Sequence, residues 1–352
     1  MDYKNLLKQL TAIITKENGS DLHLSKNHHP VVRTHGKLFF LETLPFLSGE
    51  DVAGLAFEML APDDKELFLR EKEIDFSYEI DEARFRGSCF FSQGSIVISL
   101  RLIPKKIRTL AELNLPPVLE DFVQKEQGFF LVVGPMGHGK STTLAALIEI
   151  INQSRAEHIV TIENPIEHIF SKEKSIIDQR EIRIDTKDFS TALRSAFRQD
   201  ADVLMIGEMR ELETIATAVT AAETGHLVLS TLHTNNAAQT VNRIIDVFPA
   251  EQQGQIRIQL AGSLLGVFSQ RLIPRVSGGV IPAYELLLNN NAVANLIREA
   301  RTHELQNVIE TSSKNGMVSL NRSLAELVRL GEITIENGKK YSNNARQLEN
   351  IL

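Results

Sequence analysis

The chain has 352 residues, enough for two ordinary domains, each with its own core. Hydrophobic residues make up 43% and charged residues 24%, the balance of a globular protein rather than a disordered or fibrous one. A formal net charge of −7 argues against a nucleic-acid-binding protein, and the single cysteine, Cys89, excludes an internal disulfide and a cysteine-rich zinc site. One cysteine is also what a reducing cytoplasm predicts, and its apolar surroundings read as a buried structural thiol. The N-terminal residues start no signal peptide, and no apolar run approaches the ~18–20 residues that span a bilayer.

Residues 3–17 place Leu6, Leu7, Leu10, Ile13 and Ile14 at helical spacing, with Gly19-Ser20 as a stop. Asp21 to Leu24 alternates like a strand, and 31–33 and 38–41 flank His35-Gly36-Lys37 as a hairpin. Ser48 opens a helix carrying Val52, Leu55, Ala56 and Met59. Strand signals follow at 74–78, 83–87 and 95–100. Residues 1–100 therefore read as a small α+β domain with an antiparallel sheet. Pro104, Pro116 and Pro117 mark 101–117 as a linker. Beyond it, short apolar strands at 129–133, 158–162, 202–206 and 227–231 alternate with helices, the pattern of a mainly parallel sheet. From about 250 the chain reads as helical. Gln253 to Leu272 is expected to form one amphipathic helix ended by Pro274, with further helices near 291–300, 302–312 and 319–330.

The most specific signal is Gly134-Pro135-Met136-Gly137-His138-Gly139-Lys140-Ser141. It is a complete phosphate-binding loop between an apolar strand and a helix starting near Thr142. Its glycines let backbone N–H groups turn onto phosphate oxygens at a helix N-terminus. Lys140 would reach the β- and γ-phosphates, and the Ser141 hydroxyl would hold Mg²⁺. Hydrolysis also needs an acid at a strand end. Val203 to Glu208 and Ile159 to Glu163 each supply one, so Glu163 or Glu208 could orient water and Glu208 could hold the metal. His226 and His233 bracket a third strand. His233 reads either as a γ-phosphate sensor or as a packing histidine. His138 is an uncommon residue inside such a loop and is read as a pH modifier or a bystander.

These motifs together resemble the secretion ATPases of type II secretion and type IV pilus systems, and most closely the PilT-type pilus retraction ATPases. The similarity runs from about residue 5 to about residue 335. The Walker A element lies at 134–141 and an Asp box at Thr161 to Glu167. Walker B ends in Gly207-Glu208-Met209-Arg210, and a His box runs from Ala222 to His226 and on through Thr231-Leu232-His233-Thr234. Ser20 to Leu24 and Ala292 to Glu299 also match family segments, the latter a helix of the retraction subgroup.

The resemblance implies a PAS-like domain over 1–100, a linker over 101–117, and a RecA-like ATPase domain with a C-terminal helical region over 118–352. It implies ATP and Mg²⁺ as ligands, with Arg84, Arg86 and Arg101 closing on the phosphates and His226 and His233 in the nucleotide site. It further implies a homohexameric ring at the inner face of the cytoplasmic membrane. The ring would act on an inner-membrane platform protein, beside a second paralogous ATPase, with no nucleic-acid partner. Departures are Asn164 where the family has Asp, Met136 and His138 where it has Thr and Ser, and Ala294 where the retraction helix has Arg. Asparagine accepts a hydrogen bond but takes no proton, which shifts weight to Glu163 and Glu208. An assembly or secretion motor and a low-turnover regulatory subunit are the alternative readings.

Overall fold

The computed structural model describes residues 2–17, 19–34, 37–81, 83–103 and 106–352. The chain separates into two compact units, one of Met1–Lys106 with Pro165–Ile169 and one of Ile107–Asn164 with Phe170–Leu352.

The first unit opens with α1 (Tyr3–Lys16), where the Asp2 carboxylate accepts the Asn5 N–H at 3.0 Å and Leu6, Leu7, Leu10 and Ile14 turn inward. β1 (Asp21–Leu24), β2 (Val31–Thr34) and β3 (Lys37–Phe40) follow. β2 and β3 pair with Thr34 opposite Lys37, while His35 and Gly36 of the expected turn lie outside the described residues. Ser48 and Asp51 form a reciprocal capping box at the start of α2 (Gly49–Met59). The sequence reading did not anticipate α3 (Pro62–Glu71), which starts on a proline at its first turn. β4 (Glu73–Ile80), β5 (Ala83–Ser92) and β6 (Ser95–Ile103) complete an antiparallel sheet of order β3-β2-β1-β6-β5-β4. β6 continues through Ile103, into the stretch read as linker; Pro104 and Lys105 are outside the described residues. One apolar core joins α1, α2 and Phe68 of α3 to the sheet, with Cys89 fully buried in it.

The second unit begins with α4 (Glu120–Val123), β7 (Gly128–Val133), α5 (Lys140–Ser154), β8 (His158–Glu163) and β9 (Ile176–Glu181). It continues through α6 (Phe189–Ala196), β10 (Val203–Ile206), α7 (Leu212–Glu223), β11 (Leu227–Leu232), α8 (Ala237–Asp246) and α9 (Ala250–Ser263). β12 (Leu264–Pro274) and β13 (Val280–Leu288) complete the sheet, in the order β13-β12-β7-β11-β10-β8-β9. Every neighbouring pair is parallel except β12 with β13. α10 (Asn291–Arg298), α11 (Leu305–Thr311), α12 (Leu320–Arg329), α13 (Ile335–Tyr341) and α14 (Ala345–Ile351) end the chain. Both faces of the sheet are covered. In β7, Phe129, Leu131 and Val133 enter one core and Phe130 and Val132 the other, which is why this strand reads as an unbroken apolar run. Among the described residues no helix is long and apolar enough to cross a membrane.

The expected helix from Gln253 to Leu272 is corrected. α9 stops at Ser263, and the chain turns directly into β12, which fills the place between β7 and β13. Short apolar runs carry no decisive period, and burial between two strands overrides local preference. β9, β13, α13 and α14 were likewise not foreseen.

Burial of Cys89 pushes its thiol up to about 12. The native protein at pH 8 should therefore react with an aromatic disulfide reagent at most about one hundredth as fast as the urea-unfolded chain. Thiol release followed at 412 nm checks this.

Candidate active site at the C-terminal strand ends

Parallel pairing brings the ends of β7, β11, β10 and β8 to one edge of the sheet. Val133 stands opposite Leu232, and Ile206 stands opposite both Ser230 and Ile162. The loops leaving these ends are stitched together. Gly207 N–H donates to Ile162 O at 2.8 Å, Thr231 Oγ1 to Gly207 O at 2.6 Å, and Gly134 N–H to Leu232 O at 3.3 Å.

The loop from Gly134 to Ser141 follows β7 directly. Gly134 has φ 145°, and a Cβ there would lie 2.3 Å from the Gln270 carbonyl oxygen, so only glycine fits against β12. Gly139 caps α5 at φ 80°, leaving the first-turn amides of Lys140, Ser141 and Thr142 facing the loop as donors. Pro135 contributes its carbonyl to Lys140, Met136 is 80% exposed at the tip, and a Cβ on Gly137 would meet no atom within 4 Å. His138 faces β12: its Nδ1 accepts the Leu272 N–H at 2.8 Å and its carbonyl accepts Gln270 Nε2–H at 2.7 Å.

Lys140 is only 7% exposed. Its Nζ donates to Pro135 O at 2.9 Å and lies 3.3 Å from His233 Nδ1. His233 Nε2 in turn is 3.4 Å from Glu208 Oε2, which also takes Arg210 Nε at 3.0 Å and Nη2 at 2.9 Å. With the ammonium donating, Nδ1 of His233 is the acceptor and its Nε2–H points to Glu208. Lys140, His233 and Glu208 thus form one line across three adjacent strand ends. Glu163 ends β8 and is itself buried at 7% exposure. Thr161 Oγ1 donates to its Oε1 at 2.7 Å and Gln179 Nε2 to the same oxygen at 3.2 Å.

The remaining expected site residues fall elsewhere. His226 sits before β11, at the opposite end of that strand from His233 and roughly 20 Å away along it. Its ring donates to Ala221 O at 3.1 Å and meets Phe197 edge-on, so within this chain it braces the α7–β11 turn and does not join the phosphate loop. Arg84, Arg86 and Arg101 belong to the first unit, each facing an acid there. Arg84 lies 3.9 Å from Glu79, Arg86 donates to Glu167 at 3.2 Å, and Arg101 Nε donates to Asp21 at 2.9 Å. Asn164 is exposed.

Sequence reasoning missed Thr161, Gln179 and Gln270. Thr161 was findable, since residues two apart on a strand share a face. Gln270 was hidden in the run read as helix, and Gln179 lies on the unforeseen β9.

The loop suits a polyphosphate: a buried ammonium, helix-end amides and open space over Gly137 converge where no Cβ intrudes. The exposed Ser141 hydroxyl and the Glu208 carboxylate are hard oxygen donors of the kind Mg²⁺ takes. Strand ends, loop and acids together define a nucleotide-hydrolysing P-loop protein. More narrowly, residues 70–278 match the family described as Type II/IV secretion system protein, and the chain belongs to that family of ATPases. It is 41% identical over 335 residues to the type IV pilus retractation ATPase PilT of Pseudomonas aeruginosa, covering 95% of this chain and 97% of that protein. It is also 41% identical over 321 residues to a twitching motility protein of Neisseria gonorrhoeae, covering 91% of this chain and 86% of that one. Among solved structures, the pilus retraction motor PilT with bound ADP superposes with a TM-score of 0.91 at 41% identity, covering 97% of this chain and 98% of the other.

Removing the Thr161 hydroxyl leaves a buried carboxylate short of a donor. T161V should cost about 1.5–3 kcal/mol of stability at pH 7, measured by urea denaturation, while T161S should cost less than half as much.

Proposed function

We propose that this chain is the ATP-driven motor of type IV pilus retraction, drawing pilin subunits back out of the filament and so powering twitching. The observation that carries the reading is the line Lys140–His233–Glu208 beside the phosphate loop, in a chain alike over nearly its whole length to retraction ATPases. The first unit is taken as PAS-like and the second as RecA-like, joined by the chain that follows β6. Six copies form a ring on the cytoplasmic side of the membrane and act on a platform protein embedded in it, beside a second ATPase of the same type.

In this reading Lys140 exchanges its bond to the Pro135 carbonyl for β- and γ-phosphate oxygens of ATP. Backbone amides from 137 to 142 hold the remaining phosphate charge. Ser141 and Glu208 hold Mg²⁺, which neutralises charge on the β- and γ-phosphates when bound. Glu208 already gathers His233 and Arg210, so a change at the γ-phosphate is felt by all three. Asn164 can take no proton. Glu163, aimed by Thr161 and Gln179, is left as the base that orients the attacking water. Arg84, Arg86 and Arg101 exchange their partly buried ion pairs for the transferring phosphoryl group.

K140A should lower ATP turnover at least about 100-fold with the fold retained by circular dichroism. E163Q should lose kcat by a similar factor yet still bind a fluorescent ADP analogue, whereas E208Q should weaken the response to Mg²⁺ as well. In a piliated host, deletion of the gene should give excess pili and no twitching. Loss of pili would assign the motor to assembly instead, and normal turnover by K140A would remove the site assignment.

A further inference from the structure

Two glycines with positive φ, Gly137 at 76° and Gly139 at 80°, flank His138, so the loop has little stiffness of its own here. What holds it is β12. The pairing of β7 with β12 ends where Val133 meets Ser269, while β12 runs on to Pro274. Past that point β7 offers nothing to the backbone of β12, and an unmet peptide N–H is costly. His138 takes over the missing strand's place. Its Nδ1 accepts from the Leu272 N–H at 2.8 Å, and its carbonyl accepts from Gln270 at 2.7 Å. Gln270 Oε1 also accepts the Thr143 hydroxyl at 2.7 Å, so one β12 side chain joins the loop to the first turn of α5.

We propose that His138 is a positioning residue that clamps the phosphate loop to β12, and that it does so only as the neutral imidazole. The proposal rests on the reading of 134–141 as an ATP site, and it adds a regulation of that site. An imidazolium carries N–H on both ring nitrogens, so its Nδ1 cannot accept from Leu272. The charged groups facing the ring are Lys140 from α5 and Arg271 from β12, both cationic. Burial first, and then these two charges, hold the imidazole below the usual histidine range. The sign follows. A histidine with a depressed folded value contributes stability that is present above its unfolded value near pH 6.5 and is lost as the pH falls through the folded one. The clamp is therefore made at neutral pH and released on acidification.

Asparagine at this position sets an amide oxygen where Nδ1 stands, accepts a hydrogen bond, and does not titrate. The test compares wild type, H138A and H138N by kcat/KM for MgATP from pH 5.5 to 8, a parameter that reports the free enzyme. Ionisation of MgATP is common to all three and cancels in the ratios. At pH 8, H138A should lose about fivefold to tenfold in kcat/KM, mostly in KM, and H138N should recover at least half of that loss. Below about pH 6.5 the wild type should fall relative to H138N. An unaltered KM in H138A, or profiles of wild type and H138N that superimpose, would overturn the clamp. Thermal melting without nucleotide decides the same point independently: wild type should melt above H138A at pH 8, with the gap narrowing as the pH falls below about 6.5. Equal melting at pH 8 overturns the clamp even if turnover is normal. Absence of ATP turnover in the wild type would instead sink the ATPase reading, leaving the melting comparison to judge His138.

Discussion

Everything at the active edge depends on the parallel hydrogen-bonded register of β7, β11, β10 and β8. Because Val133 faces Leu232 and Ile206 faces both Ser230 and Ile162, the four strands stop at nearly one level. The chain then delivers a phosphate loop, His233, Glu208 and Glu163 side by side. A slip of one residue in any strand would exchange its two faces. Both faces are packed against apolar cores, so such a slip would expose or bury the wrong side chains along its whole length. Packing far from the chemistry thereby fixes the chemistry's geometry.

Within that frame the charges are held before any ligand arrives. Lys140 is nearly buried, bonded to the loop's own Pro135 carbonyl and set beside His233. Its desolvation is a cost that a bound polyphosphate recovers. Glu208 is shared between His233 and Arg210, and Glu163 is aimed by a threonine and a glutamine. Groups already oriented need little reorganisation when charge develops, which is the physical basis of electrostatic catalysis. In the first unit Arg84, Arg86 and Arg101 stand in ion pairs of their own, each only partly open to solvent. The chain passes from the second unit into the first immediately after Asn164, one residue beyond Glu163, so the acid lies next to a covalent crossing between the units.

Much of this was legible in the sequence because the information is local. A strand–loop–helix with glycines at fixed offsets can be recognised from eight residues, since each glycine answers a backbone demand and the lysine and serine answer a chemical one. The acids at 163 and 208 could be named because each follows an apolar run too short for a helix. The antiparallel character of the first unit followed from strands separated by short turns. Helix starts at Ser48 and near Thr142 were likewise written in neighbouring side chains.

Tertiary structure decided what depends on partners distant in sequence. Leu264 to Pro274 became a strand only because β7 and β13 flank it. With that strand came Gln270, Leu272 and the hydrogen bonds that give His138 a role. His226 and His233 look equivalent as the two ends of one strand, yet a parallel strand has one end at the loop and the other a strand's length away. Only the direction of β11 beside β7 separates a histidine beside the phosphate loop from a brace against Phe197. The sequence by itself determined which chemistry the chain carries, because motif residues are contiguous. Which of its side chains share one site was left to the fold, because hydrogen-bonded register joins residues that no local pattern relates.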